Sequence, residues 1–383
     1  MGSLRVIGLI SGTSVDAIDV AVADLRLSGE TVELAPVAHT EAPYPDELRE
    51  AFLKALPPND CTAETLCRLD TGIGQAFAEA AAQAGPADLV ASLGQTIYHW
   101  VDGGRCLGTL QLGQPAWIAE RTGLPVLSDL RSRDVAAGGH GAPLAGLFDQ
   151  LWLTDDIALN IGGIANVSVV TERIAYDTGP GNALIDLAAE MVTGDPMDRD
   201  GELALAGSVR HDLLTILRAD PYYGLRPPKS TGKEHFHAAY LRDALAQVPE
   251  VDGKDLLATL VELTATTIAD ACNSHRAARV VASGGGIRNP ALRKALDRQL
   301  TAELTTSDEL GIPGDAKEAY LTALLGFLTW HGIPANPPTG AAGPRLLGSI
   351  TPGREPLRLP VPATTNVTRL QVVTTLGGAR ARA

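Results

Sequence analysis

Residues Ile10–Asp19 read Ile-Ser-Gly-Thr-Ser-Val-Asp-Ala-Ile-Asp and lie between two apolar runs, Leu4–Ile10 and Val20–Leu25. Apolar runs of this length read as buried strands. Strand, short polar turn and returning strand make a hairpin, and the composition of its tip suits an anion. Gly12 lets the backbone come close, while free N–H groups and the hydroxyls of Ser11, Thr13 and Ser14 supply donors. With Val15, Ala17 and Ile18 they form a candidate phosphate-binding hairpin. Asp16 and Asp19 would repel a bare phosphate, so their presence calls for a cation between. Mg²⁺ is the expected ion, met by Asp16 directly or through water. An ordinary polar hairpin tip is the competing reading of this stretch taken alone.

Further along, the pattern starts again. Ile157–Ile161 reads as a strand, Gly162-Gly163 as a turn and Ile164–Val170 as a returning strand. A strand at Ile174–Tyr176 leads into Asp177-Thr178-Gly179-Pro180-Gly181-Asn182 and a helix to about Val192. The strand Arg279–Ala282 runs into Ser283-Gly284-Gly285-Gly286, and a helix covers Asp315–Trp330. Between these lie a strand at Thr31–His39, helices at Pro45–Leu56 and Ala63–Ala84, and a strand at Asp88–Leu93 followed by Gly94-Gln95-Thr96. A helix at Gln114–Thr122, a short strand at Pro125–Leu127 and a long helix at Asp255–His275 complete the pattern. The echoed hairpin implies two related half-molecules. One is expected over 1–128 with 314–383 returning to it, the other over 129–313. Residues 197–237, rich in charge, Pro and aromatics, read as an inserted lid, and 377–383 as a fraying tail.

Composition narrows the function classes. At 383 residues, 45% hydrophobic and 20% charged, the chain can bury a sizeable core, so bulk disorder is excluded. Its formal charge of −14 disfavours a nucleic-acid partner but leaves room for a local nucleotide site. Cys61, Cys67, Cys106 and Cys272 show no C-x-x-C spacing and read as reduced thiols of a cytoplasmic protein. No signal segment and no membrane-length apolar run is expected. Four glycine turns that follow strands favour a nucleotide cleft between two α/β domains. Two decoys fail: Gly224–Ser230 carries Pro228 where a P-loop needs glycine, and Gly284-x-Gly286-x-x-Asn289 lacks the third glycine of a dinucleotide fingerprint. His235-x-His237 has no evident third metal ligand.

Eight blocks occur in order: SGTSVDAID (11–19), GQTIYH (94–99), SDLRSRDVAAGGHGAPL (128–144), NIGGIANVS (160–168), DTGPGN (177–182), PPKSTGKE (227–234), SGGGIRNP (283–290), and Asp315–Glu318 followed by TGA (339–341). Together they resemble the anhydro-N-acetylmuramic acid kinase family over about residues 6–353. The resemblance implies a two-domain, actin-like (ribonuclease-H-like) α/β sugar-kinase fold. It also implies ATP with Mg²⁺ as cofactors, a small anhydro sugar as partner, and a place in peptidoglycan recycling. A homodimer is left open. Such an enzyme opens the 1,6-anhydro bridge with water and passes the γ-phosphoryl of ATP to the freed 6-oxygen. Water attacking the anomeric carbon needs a carboxylate to take its proton.

By resemblance that base is Asp177, which would otherwise read as a helix N-cap. Glu318 is the second catalytic candidate, although Asp315-x-x-Glu318 also has capping-box spacing. Asn160, Gly162, Gly163 and Asn166 resemble a second phosphate hairpin, joined by Gly179 and Gly181. Gly284, Gly285, Gly286 and Asn289 resemble the adenosine turn. Gln95, Thr96, Arg131, Asp134 and Asn182 are the implied sugar contacts, with Arg131 suited to a lactyl carboxylate by bidentate pairing. Three departures bear on the sugar: Leu93 for a usual histidine, Gln114 for an aspartate and His140 for a glutamine. A fourth, Ala17 for glycine, is mild if its φ is negative. Two alternatives stay open at this point. One is a kinase for another anhydro sugar such as levoglucosan; the other is a non-kinase ATPase of the same superfold.

Overall fold

A computed structural model describes residues 2–12, 15–57, 59–232 and 235–377. In chain order its strands are β1 Leu4–Ser11, β2 Ala17–Ser28, β3 Thr31–Pro43, β4 Leu89–Asp102, β5 Arg105–Leu112, β6 Val126–Ser128 and β7 Ile157–Ile161. There follow β8 Ile164–Val169, β9 Ile174–Pro180, β10 Arg279–Ser283, β11 Glu303–Thr306, β12 Ser349–Thr351 and β13 Arg369–Val372. The chain divides into two units, Met1–Trp152 with Ala316–Ala383, and Leu153–Asp315.

In the first unit the sheet order is β12-β6-β4-β1-β2-β3-β13, with β5 added to β4. β1, β2 and β3 form an antiparallel meander, whereas β4 runs parallel to β1 and β6 parallel to β4. The second unit has the order β11-β10-β7-β8-β9, again an antiparallel meander (β7, β8, β9) flanked by parallel β10 and β11. Each sheet therefore repeats one plan: third, second, first, fourth, fifth. That is the ribonuclease-H-like order that actin-like ATPases and sugar kinases carry twice, and the expected fold class holds.

Packing follows from residue size. Helix Ala63–Gln83 lays Ile73 and Phe77, both fully buried, on Ile7, Leu9, Val20, Val22 and Val90. Helix Lys317–Trp330 comes unusually close to β1 and β4, because Gly8 leaves no Cβ to strike the Ala319 carbonyl. A Cβ on Gly326 would stand 2.6 Å from that of Ala91. In the second unit, helix Gly253–Asn273 buries Leu257, Leu260, Leu263 and Ile268 with Leu159, Val167 and Val280. Among the described residues, no helix is long and apolar enough to cross a membrane.

Three expectations change. β4 does not stop at Leu93 but runs through Gly94-Gln95-Thr96 to Asp102, because β5 pairs with it along that length. β9 likewise passes through Asp177 to Pro180, held by pairing of Ala165 with Gly179 and Ile164 with Pro180. The unit boundaries fall after Trp152 and Asp315 rather than after 128 and 313. Helix Ala145–Trp152 stays with the first unit, where the Lys317 ammonium meets buried Asp149 at 3.0 Å. Arg131 and Asp134 thus fall in the first unit rather than in the half expected over 129–313.

Candidate active site

The first hairpin is fastened at both ends. The Ser11 hydroxyl donates to the Ala17 carbonyl at 2.9 Å. Buried Gln95 donates from Nε2 to the Gly12 carbonyl at 3.1 Å and accepts from the Tyr44 hydroxyl at 3.2 Å. Gln95 is thus committed to holding the turn. Val15 has φ +56° with its side chain fully in the core, a conformation a β-branched residue adopts only when its surroundings impose it. Ala17 is not among the positive-φ residues, so its lack of a glycine costs nothing. Thr13 and Ser14 lie outside the described residues. Ile18 is buried in the core and supports the turn from below.

Asp16 is exposed and pairs with Arg49 at 2.9 Å, while the Arg49 Nε donates to the Val15 carbonyl. The other carboxylate oxygen makes no hydrogen bond among the described residues, which fits a cation met through water. Asp19 sits differently. Burial, and then the nearby Glu41 and Glu318 carboxylates, push its pKa up to about 6. His39 Nε2 stands 3.8 Å from it, too far to hydrogen-bond, and burial lowers the His39 pKa. Ligand atoms of Asp19, His39 and Glu41 all lie within 4.8 Å of one another. The sequence reading missed His39 and Glu41. Their signal was available: two residues apart on one strand, they share a sheet face, opposite Ala21 and Asp19.

Glu318 opens the helix Lys317–Trp330, whose N-cap is Ala316 with no side-chain cap. The capping box is therefore absent, and Asp315 instead forms an ion pair with Arg288. Glu318 is exposed, and its carboxylate makes no hydrogen bond among the described residues. Arg131 donates from Nη1 to the Gly141 carbonyl at 2.7 Å, while its buried Nε has no partner among the described residues. Desolvation lowers its pKa and Glu318 raises it. A guanidinium held with an unmet N–H is prepared for an incoming carboxylate.

Asp134 is expected among the sugar contacts. It is fully buried, accepting from the Gly141 N–H at 2.9 Å and from Arg345 at 3.2 Å. The exposed His140 donates its N–H to the Thr339 carbonyl at 2.9 Å, so the TGA block supports the loop that orients Arg131. Thr96 is half-buried and accepts from Gln111 at 3.2 Å.

In the second unit the glycine turns converge. Asn182 N–H donates to the Gly162 carbonyl at 2.8 Å, and the Gly181 and Ala183 N–H groups donate to that of Gly163 at 2.9 and 3.0 Å. Gly181 is obligatory, since a Cβ would collide with the Gly162 carbonyl. Asn160 and Asn166 face each other across β7 and β8, flanking the turn. A Cβ on Gly284 would lie 2.7 Å from Asn160 Oδ1, and one on Gly286 2.9 Å from Asn182 Oδ1. Gly285 faces open space. Asn182 thus borders the Gly284–Gly286 turn. Asn289, expected at the nucleotide, caps a helix with one atom: its Oδ1 accepts from Ala291 and Leu292 at the start of helix Pro290–Gln299.

Asp177 is half-buried inside β9, and the N-cap position of the following helix is Asn182, so Asp177 is no N-cap. Its Oδ2 accepts the Thr231 N–H at 2.9 Å, and its carbonyl accepts the Tyr222 hydroxyl at 2.8 Å. Gly179, at φ +152°, lets the Tyr223 ring approach. His235 pairs with Asp220 at 2.8 Å and His237 caps helix Ala238–Leu245, which removes them as a metal pair.

Comparison with known proteins bears on this arrangement. The family model for anhydro-N-acetylmuramic acid kinase matches residues 4–353. An anhydro-N-acetylmuramic acid kinase of Streptomyces coelicolor is 56% identical over 378 residues, covering 94% of this chain and 97% of that one. One from Streptomyces avermitilis is 55% identical over 382 residues, covering 96% and 99%. A third, from Rhodococcus erythropolis, is 50% identical over 375 residues, covering 91% and 94%.

Proposed function

The chain belongs to the anhydro-N-acetylmuramic acid kinase family, and on that premise we propose how its residues divide the reaction. The enzyme is a kinase, and the acceptor read for it is 1,6-anhydro-N-acetylmuramic acid. Asp177 takes a proton from water as the water oxygen bonds to C1. The C1–O6 bond breaks, O6 carries its electron pair to the γ-phosphorus of ATP, and ADP leaves. The product is N-acetylmuramic acid 6-phosphate. The observation that carries this reading is the Asp177 carboxylate, with one oxygen fixed by the Thr231 N–H. The other oxygen makes no hydrogen bond among the described residues. A base must be held in one pose with a lone pair free.

The remaining roles follow from what each side chain is free to do. Arg131 meets the lactyl carboxylate with its unmet N–H groups, and Glu318 is the second carboxylate at the sugar. The hairpins at 11–19 and 160–166 take the phosphates, with the Gly284–Gly286 turn at the nucleoside. Mg²⁺, when bound, neutralises phosphate charge, and Asp16 supports it through water. Closure of the two units over the nucleotide is part of the reading, since phosphoryl transfer must exclude water. So is a cytoplasmic setting.

The test is phosphate transfer to the anhydro sugar in ¹⁸O-water, with the product identified by mass. One ¹⁸O at C1 and none on the phosphate is the expected result. ADP release that does not depend on sugar would refute the kinase reading. Transfer to levoglucosan in preference to the muramic sugar would change its substrate.

A further inference from the structure

β9 is an edge strand of its sheet. Backbone groups on the open side of an edge strand must find partners outside the sheet. For Asp177 a single segment supplies them. Its N–H donates to the Lys229 carbonyl at 3.1 Å, and its carbonyl accepts the Tyr222 hydroxyl at 2.8 Å. Its carboxylate Oδ2 accepts the Thr231 N–H at 2.9 Å. Three groups of the same residue are therefore held from one stretch, 222–231.

What holds that stretch together is the Lys229 ammonium. It donates to the Tyr222 carbonyl at 3.1 Å and to the Tyr223 carbonyl at 3.2 Å, and lies 4.6 Å from the centre of the Tyr222 ring. An ammonium on a flexible stem has three donors and can meet two successive carbonyls, whereas a planar guanidinium suits a carboxylate better. No carboxylate among the described residues forms an ion pair with Lys229, so its donors are given to the turn. At the other end of the turn, the Tyr222 N–H donates to Asp220 at 2.8 Å. Lys229 also lines a cavity of about 210 Å³ with Tyr176 and Thr267. Tyr176 precedes Asp177 and is buried in the core, so its side chain leaves β9 on the face opposite the Asp177 carboxylate. The ammonium is thus committed behind the base and reaches it only through the turn.

We propose that Lys229 is a positioning residue for the base: by tying the Tyr222–Tyr223 turn to its own backbone, it closes residues 222–231 into a clamp that aims Asp177. This rests on the reading of Asp177 as general base and adds to it the residue on which the aim depends. Without the ammonium, two carbonyls lose their donor and the turn can shift, taking the Tyr222 hydroxyl with it. The free oxygen of Asp177 then no longer points where the water must stand. A displacement of about 1 Å in a reacting group costs about 10²-fold in rate.

A double-mutant cycle on the full chain tests this, with 1,6-anhydro-N-acetylmuramic acid and ATP as substrates. Lys229→Met keeps the stem over Tyr222 and removes the donors. Its kcat should fall by about 10²-fold, while ATP affinity stays within a few-fold and the Tm within a few degrees. Placed in the Asp177→Asn background, the same change should cost little more, because groups that act as a unit are not additive. Lys229→Arg should recover part of the loss. Tyr222→Phe removes one hydroxyl from the same clamp and should lower kcat in the same non-additive way. Hydrogen exchange at the Asp177 and Thr231 amides should quicken in Lys229→Met. A kcat in Lys229→Met within threefold of the unaltered enzyme would overturn the proposal. So would a loss that adds fully to that of Asp177→Asn, or an ATP affinity that falls as far as kcat, which would place Lys229 at the phosphates. A Lys229→Met chain that does not fold, or a Tyr222→Phe change that adds fully to Asp177→Asn, would make the segment a structural support only. Near-normal kcat in Asp177→Asn itself would reject the base and this inference with it. Normal kcat in Lys229→Met beside an inactive Asp177→Asn would reject this inference alone.

Discussion

Replacing Asp177 by asparagine separates its two roles. Oδ2 of Asp177 accepts the Thr231 N–H at 2.9 Å. Asparagine keeps a carbonyl oxygen for that bond, so the Thr231 segment stays in place. A charge-assisted bond becomes a neutral one, which costs about 1 kcal/mol of stability and a few degrees of Tm. Asn182, Gly181 and Ala183 fasten the Gly162-Gly163 hairpin through backbone groups, none of which involves the Asp177 side chain. ATP affinity should therefore persist. What asparagine cannot do is take a proton from water. Loss of a general base lowers kcat by ~10²–10⁴, a rise of roughly 3–5 kcal/mol in the barrier. Stopped-time product assays, nucleotide titration and a melting curve on the same preparation measure all three quantities. A kcat within a few-fold of the unaltered enzyme would refute the base assignment. So would a variant that no longer folds, since the carboxylate would then serve chiefly to hold Thr231.

Other substitutions test the remaining assignments. Asp16→Asn should reduce turnover and shift the Mg²⁺ titration upward together, with stability nearly unchanged because its pair with Arg49 is exposed. If Asp19→Asn shifts that titration and Asp16→Asn does not, the ion belongs with Asp19, His39 and Glu41. Arg131→Ala should impair phosphorylation of the muramic sugar far more than of an anhydro sugar without a lactyl group; equal losses would make it a structural arginine. Asp134→Ala leaves Arg345, only 11% exposed, without its buried partner, and should cost about 3–5 kcal/mol by chemical denaturation. Unaltered stability with lost sugar binding would instead make Asp134 a sugar contact.

The hairpins, the glycine turns and the repeated half-molecule were legible because each is local. An apolar run, a glycine and a returning run are neighbours in sequence, and their geometry follows from alternation and positive φ. The β4–β5 hairpin was equally legible in principle, since Asp102-Gly103-Gly104-Arg105 supplies two adjacent positive-φ glycines between strands. It was obscured because Gly94-Gln95-Thr96 reads like another glycine turn, whereas pairing with β5 keeps it extended.

The sequence by itself determined the family, the first hairpin of each unit and the identity of the chemical groups. Only the tertiary structure decided which of those groups are free to act. Asp134 and Arg345 are 211 positions apart, and Asp134 is fully buried beside its partner. Lys317 and Asp149, 168 apart, keep helix Ala145–Trp152 with the first unit. Asp315 pairs with Arg288 instead of closing a capping box, and so Glu318 stays uncommitted. Asn289 spends its side chain on a helix N-terminus. Spacing along a chain shows which carboxylates, amides and guanidiniums exist. A partner brought in from a distant segment sets whether a given one is neutralised, buried or left open, because hydrogen bonds and desolvation depend on distance in space.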